Sequence, residues 1–155
     1  MIAKPIVEQI LQNIELCRDL YYQLLLIVAP AGAGKTKALK ELQALTGAPL
    51  INVNLELSRR MLDLTERQRA LQVPRLLENI ANQNAGSLIL LDNIEMLFDI
   101  NLKQDPLRLL QGLSRSRTVI SSWNSVVEEN HIIYAESGHP EYRKYLINDF
   151  IVVGI

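Results

Sequence analysis

Cross-linking chemistry is nearly absent from this sequence: among 155 residues there are one cysteine and two histidines. A lone Cys17 excludes an internal disulfide framework and fits a reducing compartment. Its neighbours Ile14, Leu16 and Leu20, with no histidine close by, favour a core thiol over a nucleophile. His131 and His139 stand apart, so no transition-metal site is expected. No apolar run approaches the ~18 residues that a membrane span requires. The opening "MIAKPIVEQILQNIE" brings in acidic residues too early for a secretory signal. A cytoplasmic location and no membrane partner are therefore expected. Excess positive charge is also missing: the net charge of −1 argues against a surface coated for nucleic acid, while leaving room for a local basic patch. Six prolines and seven glycines are scattered, and there is no repeat or low-complexity segment, which excludes fibrous and disordered classes.

What is present is an ordinary globular balance of 48% apolar and 21% charged residues. A chain of this length can bury roughly 70% of its unfolded surface, so one domain over residues 1–155 is expected. Short β-branched apolar runs alternate with longer helical patterns, the signature of an α/β fold with helices on both faces of a parallel sheet. The pattern predicts a helix over about 5–20, with Ile6, Ile10, Ile14 and Cys17 on one face. Strands are predicted at 24–28 ("LLLIV"), 50–54 ("LINVN"), 87–92 ("SLILLD"), 118–123 ("TVISSW") and 149–153 ("DFIVV"). A helix should run from Lys35 to about Leu45, stopped by Gly47 and Pro49, and another near 105–114. Residues 55–84 read as helical but interrupted, with Pro74 breaking the helix or starting a new one.

The strongest motif is "APAGAGKT" at 29–36, which matches G-x-x-x-x-G-K-[ST] at every position but the first, where Ala29 stands. Gly32 and Gly34 can take positive φ and leave backbone N–H groups open to an anion. Lys35 can bridge the outer phosphates of a nucleotide, Thr36 can hold Mg²⁺, and the helix N-terminus adds its dipole. Ala31, Gly32, Ala33, Gly34, Lys35, Thr36 and Lys37 are thus the expected nucleotide-binding run. Ala29 only marks where strand gives way to loop, and needs no more than a negative φ there. The motif falls between a predicted strand and a predicted helix, as phosphate binding requires.

Such a loop needs a carboxylate on a nearby strand for the metal, and "SLILLDNIEMLF" supplies Asp92. The next residue is Asn93, whose amide can orient water but cannot take its proton. Glu95 is the candidate base, three residues past Asp92 and able to share a helical face with it; a mere preference for a helix N-terminus is the other reading. The fourth strand ends in "SSWN", which leaves Asn124, with Ser122 behind it, as its polar end; a turn asparagine is the bland reading of that position. Trp123 reads as packing. Arg115 and Arg117 precede the fourth strand and Arg143 the fifth, each able to reach a neighbouring subunit's nucleotide or to stay solvated. "LELSRRMLDLTERQRALQVPRLLENI" places Arg59, Arg60, Arg67, Arg69 and Arg75 between the second and third strands. They form either a contact for duplex DNA or a partner chain, or a solvated face with internal ion pairs. No guanine-reading Asn-Lys-x-Asp segment occurs, since "NLKQD" has the wrong spacing.

The phosphate loop, Asp92, Asn124 and the arginine-rich segment together resemble a minimal AAA+-like ATPase core. The longer strings "NLELSRRMLDLTERQR", "LKQDPLRLLQGLSRSRT" and "YAESGHPEYR" are similar to the BrxF family, small P-loop proteins of type 3 BREX phage-resistance systems. The resemblance implies a three-layer P-loop NTPase fold with a five-stranded parallel sheet in the order 5-1-4-3-2. It implies ATP and Mg²⁺ as ligands, homo-oligomers, and other BREX proteins as partners in a bacterial defence complex. It also makes Arg143 the trans-acting arginine, gives Asn124 the water-holding role, and turns the arginine-rich segment toward a central pore. A glutamate usually follows the strand aspartate in that class, so Asn93 is a departure. The helical lid expected after the fifth strand is a second one. Three functions stay open: an ATP-hydrolysing assembly factor, a small-molecule kinase, and a non-catalytic nucleotide-gated binding module.

Overall fold

The computed structural model describes residues 5–84 and 86–155. Its centre is a five-stranded parallel sheet in the order β2-β3-β4-β1-β8, formed by β1 (Leu24–Ala29), β2 (Leu50–Asn52), β3 (Leu88–Asp92), β4 (Thr118–Asn124) and β8 (Ile151–Gly154). Counting only these strands along the chain, this is the expected order 5-1-4-3-2.

The continuous apolar run of β1 is sorted by the two-residue period of a strand. Leu25 and Ile27 point to one face, where α1 (Ile6–Arg18) and α2 (Lys35–Thr46) cover them with Ile10, Ile14, Cys17, Leu39 and Leu42. Leu24, Leu26 and Val28 point to the other, packed with Leu57, Val73, Leu77 and Leu110 of α3 (Val53–Met61), α4 (Glu66–Asn82) and α5 (Pro106–Leu113). Val7 takes the deeply buried place on α1 expected of Ile6, which packs half-buried at its edge. Among the described residues no helix is long and apolar enough to cross a membrane.

The second strand is shorter than expected. It ends at Asn52, whose side chain accepts from Leu55 N at 3.1 Å and caps α3, so Val53 and Asn54 are helical. Pro74 does not break its helix. The interruption falls at residues 62–65, where Thr65 and Gln68 form a reciprocal capping box at the start of α4. Pro74 sits well inside α4 and cannot donate to the carbonyl four residues back. That carbonyl, of Ala70, instead accepts from Gln104 Nε2 at 2.7 Å, which satisfies the group the proline orphans.

Between β4 and β8 lies an antiparallel sheet that the sequence did not announce: β5 (Val127–Glu128), β6 (His131–Tyr134) and β7 (Arg143–Leu146). It is held to the main sheet by aromatic packing. Trp123 of β4 is fully buried, donates its indole N–H to Ile133 O at 3.0 Å, and meets the rings of Phe98, Tyr134 and Tyr145 edge-on. Its packing role is as expected, and so is that of Cys17, buried among α1 and α2 with its thiol pushed up to about 11 by burial.

Candidate functional site: a phosphate loop facing a clamped carboxylate

The carboxyl ends of parallel strands are where open α/β sheets bind ligands, and the loop glycines, Lys35, Thr36, Asp92, Glu95 and Asn124 meet there. In the sheet register Ala29 of β1 lies beside Asn124 of β4, and Asn52 of β2 beside Asp92 of β3. β4 therefore sets Asn124 between the phosphate loop and the acidic strand. A cleft of about 350 Å³ opens there, lined by Ala31, Gly32, Gly34, Lys35, Thr36, Asp92, Asn93, Glu95 and Asn124.

The loop has the backbone its glycines permit. Gly32 and Gly34 have φ of 81° and 102°, and a side chain built on either would meet no atom within 4 Å. The space is open, but the left-handed backbone strains any residue with a Cβ. Gly34 also occupies the N-cap of α2 and supplies no side-chain cap, and the first turn carries no acidic residue. By contrast α3, α4 and α5 close their N-termini with Asn52, Thr65 and Asp105. The positive end of α2 alone of these four is left for an external anion. The Ala33 amide is committed to Pro30 O at 3.2 Å, and neither Ala33 nor Lys37 lines the cleft.

Lys35 is almost fully buried and donates to Ala29 O and Pro30 O, each at 2.8 Å. Burial lowers its ammonium below the usual lysine range, while Asp92 and Glu95 pull in the opposite direction. Thr36 Oγ1 donates to Asp92 Oδ2 at 2.6 Å. These are two hard oxygen donors side by side, a donor set that suits Mg²⁺.

Glu95 does not share a helix with Asp92. Asp92 is the last residue of β3, and Asn93 then takes φ of 52° before a 3₁₀ turn begins at Glu95. Asparagine tolerates that left-handed geometry better than most residues, which gives Asn93 a hinge role where the resemblance places glutamate. Glu95 is brought back to the cleft by side chains. Asn124 Nδ2 donates to its Oε1 at 2.8 Å, and Asn54 Nδ2 to its Oε2 at 3.1 Å. The Asn54 side-chain amide is itself oriented, since Met96 N donates to its Oδ1 at 2.9 Å, and the backbone N–H of Asn54 anchors the residue by donating to Asn93 O at 2.8 Å. Asn54 escaped the sequence reading, which put it in a strand. The available signal was the pair of asparagines in "NVN" at the end of an apolar run.

The arginines do not gather at this cleft. Arg143 lies on β7 and donates to Gln104 O at 3.1 Å. Arg115 sits over the Tyr21 ring at 5.3 Å, and Arg117 is held by Glu78 and Asn82. Arg59 and Arg60 of α3 pair with Glu56, Arg60 also reaching Gln83, and Arg69 donates to Leu64 O. Arg67 and Arg75 of α4 are exposed and make no such bond among the described residues.

A parallel five-stranded sheet with a glycine-rich loop leading from β1, an interior strand, into a helix is an α/β P-loop NTPase-like fold. The chain matches no protein-family model and no curated protein sequence. It is similar in fold to solved structures, among them the crystal structure of a DNA replication initiation factor. That likeness has a TM-score of 0.50 at 14% identity, over 96% of this chain and 44% of the other. The chain thus spans less than half of that neighbour's length.

Proposed function

We propose that this chain binds ATP with Mg²⁺ and hydrolyses it, as a nucleotide-dependent assembly component of a bacterial BREX phage-defence complex. The observation that carries the catalytic part is the carboxylate of Glu95 held at the cleft by two amides, opposite a glycine loop open to phosphate. The BREX role rests on the sequence strings that resemble the BrxF family.

In this reading the loop amides and the end of α2 receive the phosphates, and Lys35 exchanges two neutral carbonyl acceptors for charged phosphate oxygens. Thr36 and Asp92 would hold Mg²⁺, which supplies charge neutralisation on the phosphate oxygens. A carboxylate offers about four lone-pair sites. Asn54 and Asn124 occupy one on each oxygen of Glu95, so an acceptor remains for the proton of an attacking water. The two amides fix the direction in which that acceptor points. This role of Glu95 removes the need for a carboxylate at Asn93.

Arg143 is proposed to act on a neighbouring copy's nucleotide, which makes homo-oligomerisation part of the reading. Arg59, Arg60, Arg67, Arg69 and Arg75 are proposed as the contact for duplex DNA or another BREX protein, chiefly through the uncommitted Arg67 and Arg75.

The test is release of inorganic phosphate from ATP by the purified chain with Mg²⁺, alongside its solution mass with and without ATP. Turnover without a phosphorylated acceptor, together with an ATP-dependent rise in mass, is expected. Tight binding without turnover would instead favour the nucleotide-gated module, and transfer to an acceptor would favour a kinase.

A further inference from the structure

We propose that the small sheet β5-β6-β7 positions the base, with Tyr134 as the residue through which it acts on Glu95. The inference rests on the reading of Glu95 as the base of ATP hydrolysis.

The 3₁₀ turn that begins at Glu95 ends at Phe98, one turn later, and Phe98 is buried. Its ring stacks on Tyr134 with centroids 3.5 Å apart and planes 15° from parallel, and meets Trp123 edge-on at 5.1 Å. Trp123 is the immediate neighbour of Asn124, the donor to Glu95 Oε1. Both ends of the Glu95–Asn124 hydrogen bond are thus tied to one ring cluster, through Phe98 on one side and Trp123 on the other. Strand β6 holds both rings at once: Tyr134 stacks on Phe98, and the preceding carbonyl, Ile133 O, accepts the Trp123 indole N–H at 3.0 Å. β7 fixes β6 in turn, since Tyr145 Oη donates to Asp105 Oδ1 at 2.8 Å, and Asp105 caps α5.

A four-residue 3₁₀ turn has little internal stiffness of its own. It carries few hydrogen bonds, so the direction of its first side chain depends on what grips its last. The Tyr134 ring is that grip. Its phenol is pushed up to about 12, first by burial, then by the charges of Glu141 and Glu95, consistent with a ring lying in the field of the carboxylate. The stack uses the face of the ring and not its hydroxyl. Phenylalanine should therefore replace it and an aliphatic residue should not.

The experiment compares ATP affinity and kcat for the wild type, Tyr134→Phe, Tyr134→Leu, Phe98→Leu, Asn124→Ala, and Tyr134→Leu combined with Asn124→Ala. Loosening a base by a fraction of an ångström costs rate far more than affinity, so Tyr134→Leu is expected to lower kcat about 10-fold or more with ATP affinity nearly unchanged. Tyr134→Phe should keep the wild-type kcat. Once Asn124→Ala has released the clamp, Tyr134→Leu should cost less than about twofold more, because coupled residues are not additive. A purely structural tyrosine would give multiplying losses and an affinity that falls with stability.

Wild-type kcat in Tyr134→Leu, a Phe variant as slow as the Leu variant, or full additivity with Asn124→Ala would overturn the positioning role alone. No turnover by the wild type would overturn the hydrolysis reading and this inference with it. If Tyr134→Leu does not fold, Phe98→Leu removes the other ring of the same stack and carries the same expectation.

Discussion

The phosphate loop and the carboxylate arm face each other across one cleft, yet they are assembled in opposite ways. Residues 29–36 come from one unbroken stretch that runs from the end of β1 into the first turn of α2. The arm draws Asp92 and Asn124 from two strand ends, Asn54 from the start of α3 and Glu95 from a 3₁₀ turn. The loop presents mainly backbone, and its conformation is set by two glycines. The arm presents side chains whose directions are set by one another. The two arms also rest on different cores. α1 and α2, with Cys17, lie behind the loop; Phe98, Trp123 and α3–α5 lie behind the carboxylates. Substitutions in one arm should therefore change affinity and substitutions in the other should change rate.

The sharpest break in that division would come from Glu95→Gln. It keeps the size and one of the two amide contacts, since its oxygen still accepts while its NH2 would face a second donor, and it removes the proton acceptor. A lost general base costs about 10²- to 10⁴-fold, so phosphate release should nearly vanish while ATP affinity, read by titration of a fluorescent analogue, stays put. Lys35→Ala should do the reverse. Losing a charge-assisted hydrogen bond to phosphate weakens ATP binding by about 10- to 100-fold, with residual turnover reached only at high ATP. If both variants failed in affinity alone, the two arms would not be separate in function.

Alkali tests the cores behind the arms. The Cys17 thiol moves from 9.0 in the unfolded chain to about 11 in the fold. An acid whose pKa is raised on folding contributes stability that is fully present below its unfolded value and is lost as pH climbs through the folded one. Stability should fall by about 2–3 kcal/mol between pH 9 and 11 from this group. Tyr134 and Tyr145, both raised by burial, add the same sign from their ordinary value of 10.0 upward. Denaturant melts across that range should show the loss, and Cys17→Ala should flatten its first part. Asn54→Ala has a smaller expected effect on the other arm, about 10-fold in kcat, the scale of one hydrogen bond to a charged group. ATP affinity should be unchanged.

How much could be read from residues alone follows the same division. The loop was legible because every group it needs lies within eight consecutive positions between a strand and a helix. The main strands followed from apolar runs and their order from the AAA+-like resemblance, while Asp92 and Asn124 are the polar residues that end such runs. Asn54 was not legible, because its role depends on α3 starting directly at the end of β2. Pro74 misled, since its rescue by Gln104 joins residues far apart in sequence. The small sheet was missed for a local reason. Its strands are two to four residues long. Its hairpin turn uses Glu129 and Asn130 at positive φ, without the Asn-Gly or Asp-Gly pair that signals such a turn.

The arginine-rich segment lies outside both arms, and its expected effect is the smallest. Of its five arginines, three are engaged within the chain: Arg59 and Arg60 with Glu56, and Arg69 with Leu64 O. Arg67 and Arg75 are two helical turns apart on α4, and Leu71 between them is 73% exposed. An apolar side chain in the middle of a cationic stripe gives nothing to a phosphate backbone, so any DNA contact should rest on those two charges alone. Each phosphate neutralised contributes about 0.9 to the slope of log affinity against log salt. Arg67→Ala with Arg75→Ala should thus lower the slope for duplex DNA by about two and leave ATP turnover in the absence of DNA unchanged. A wild-type affinity with no salt dependence would remove DNA from this face and leave Leu71 as the mark of a protein partner.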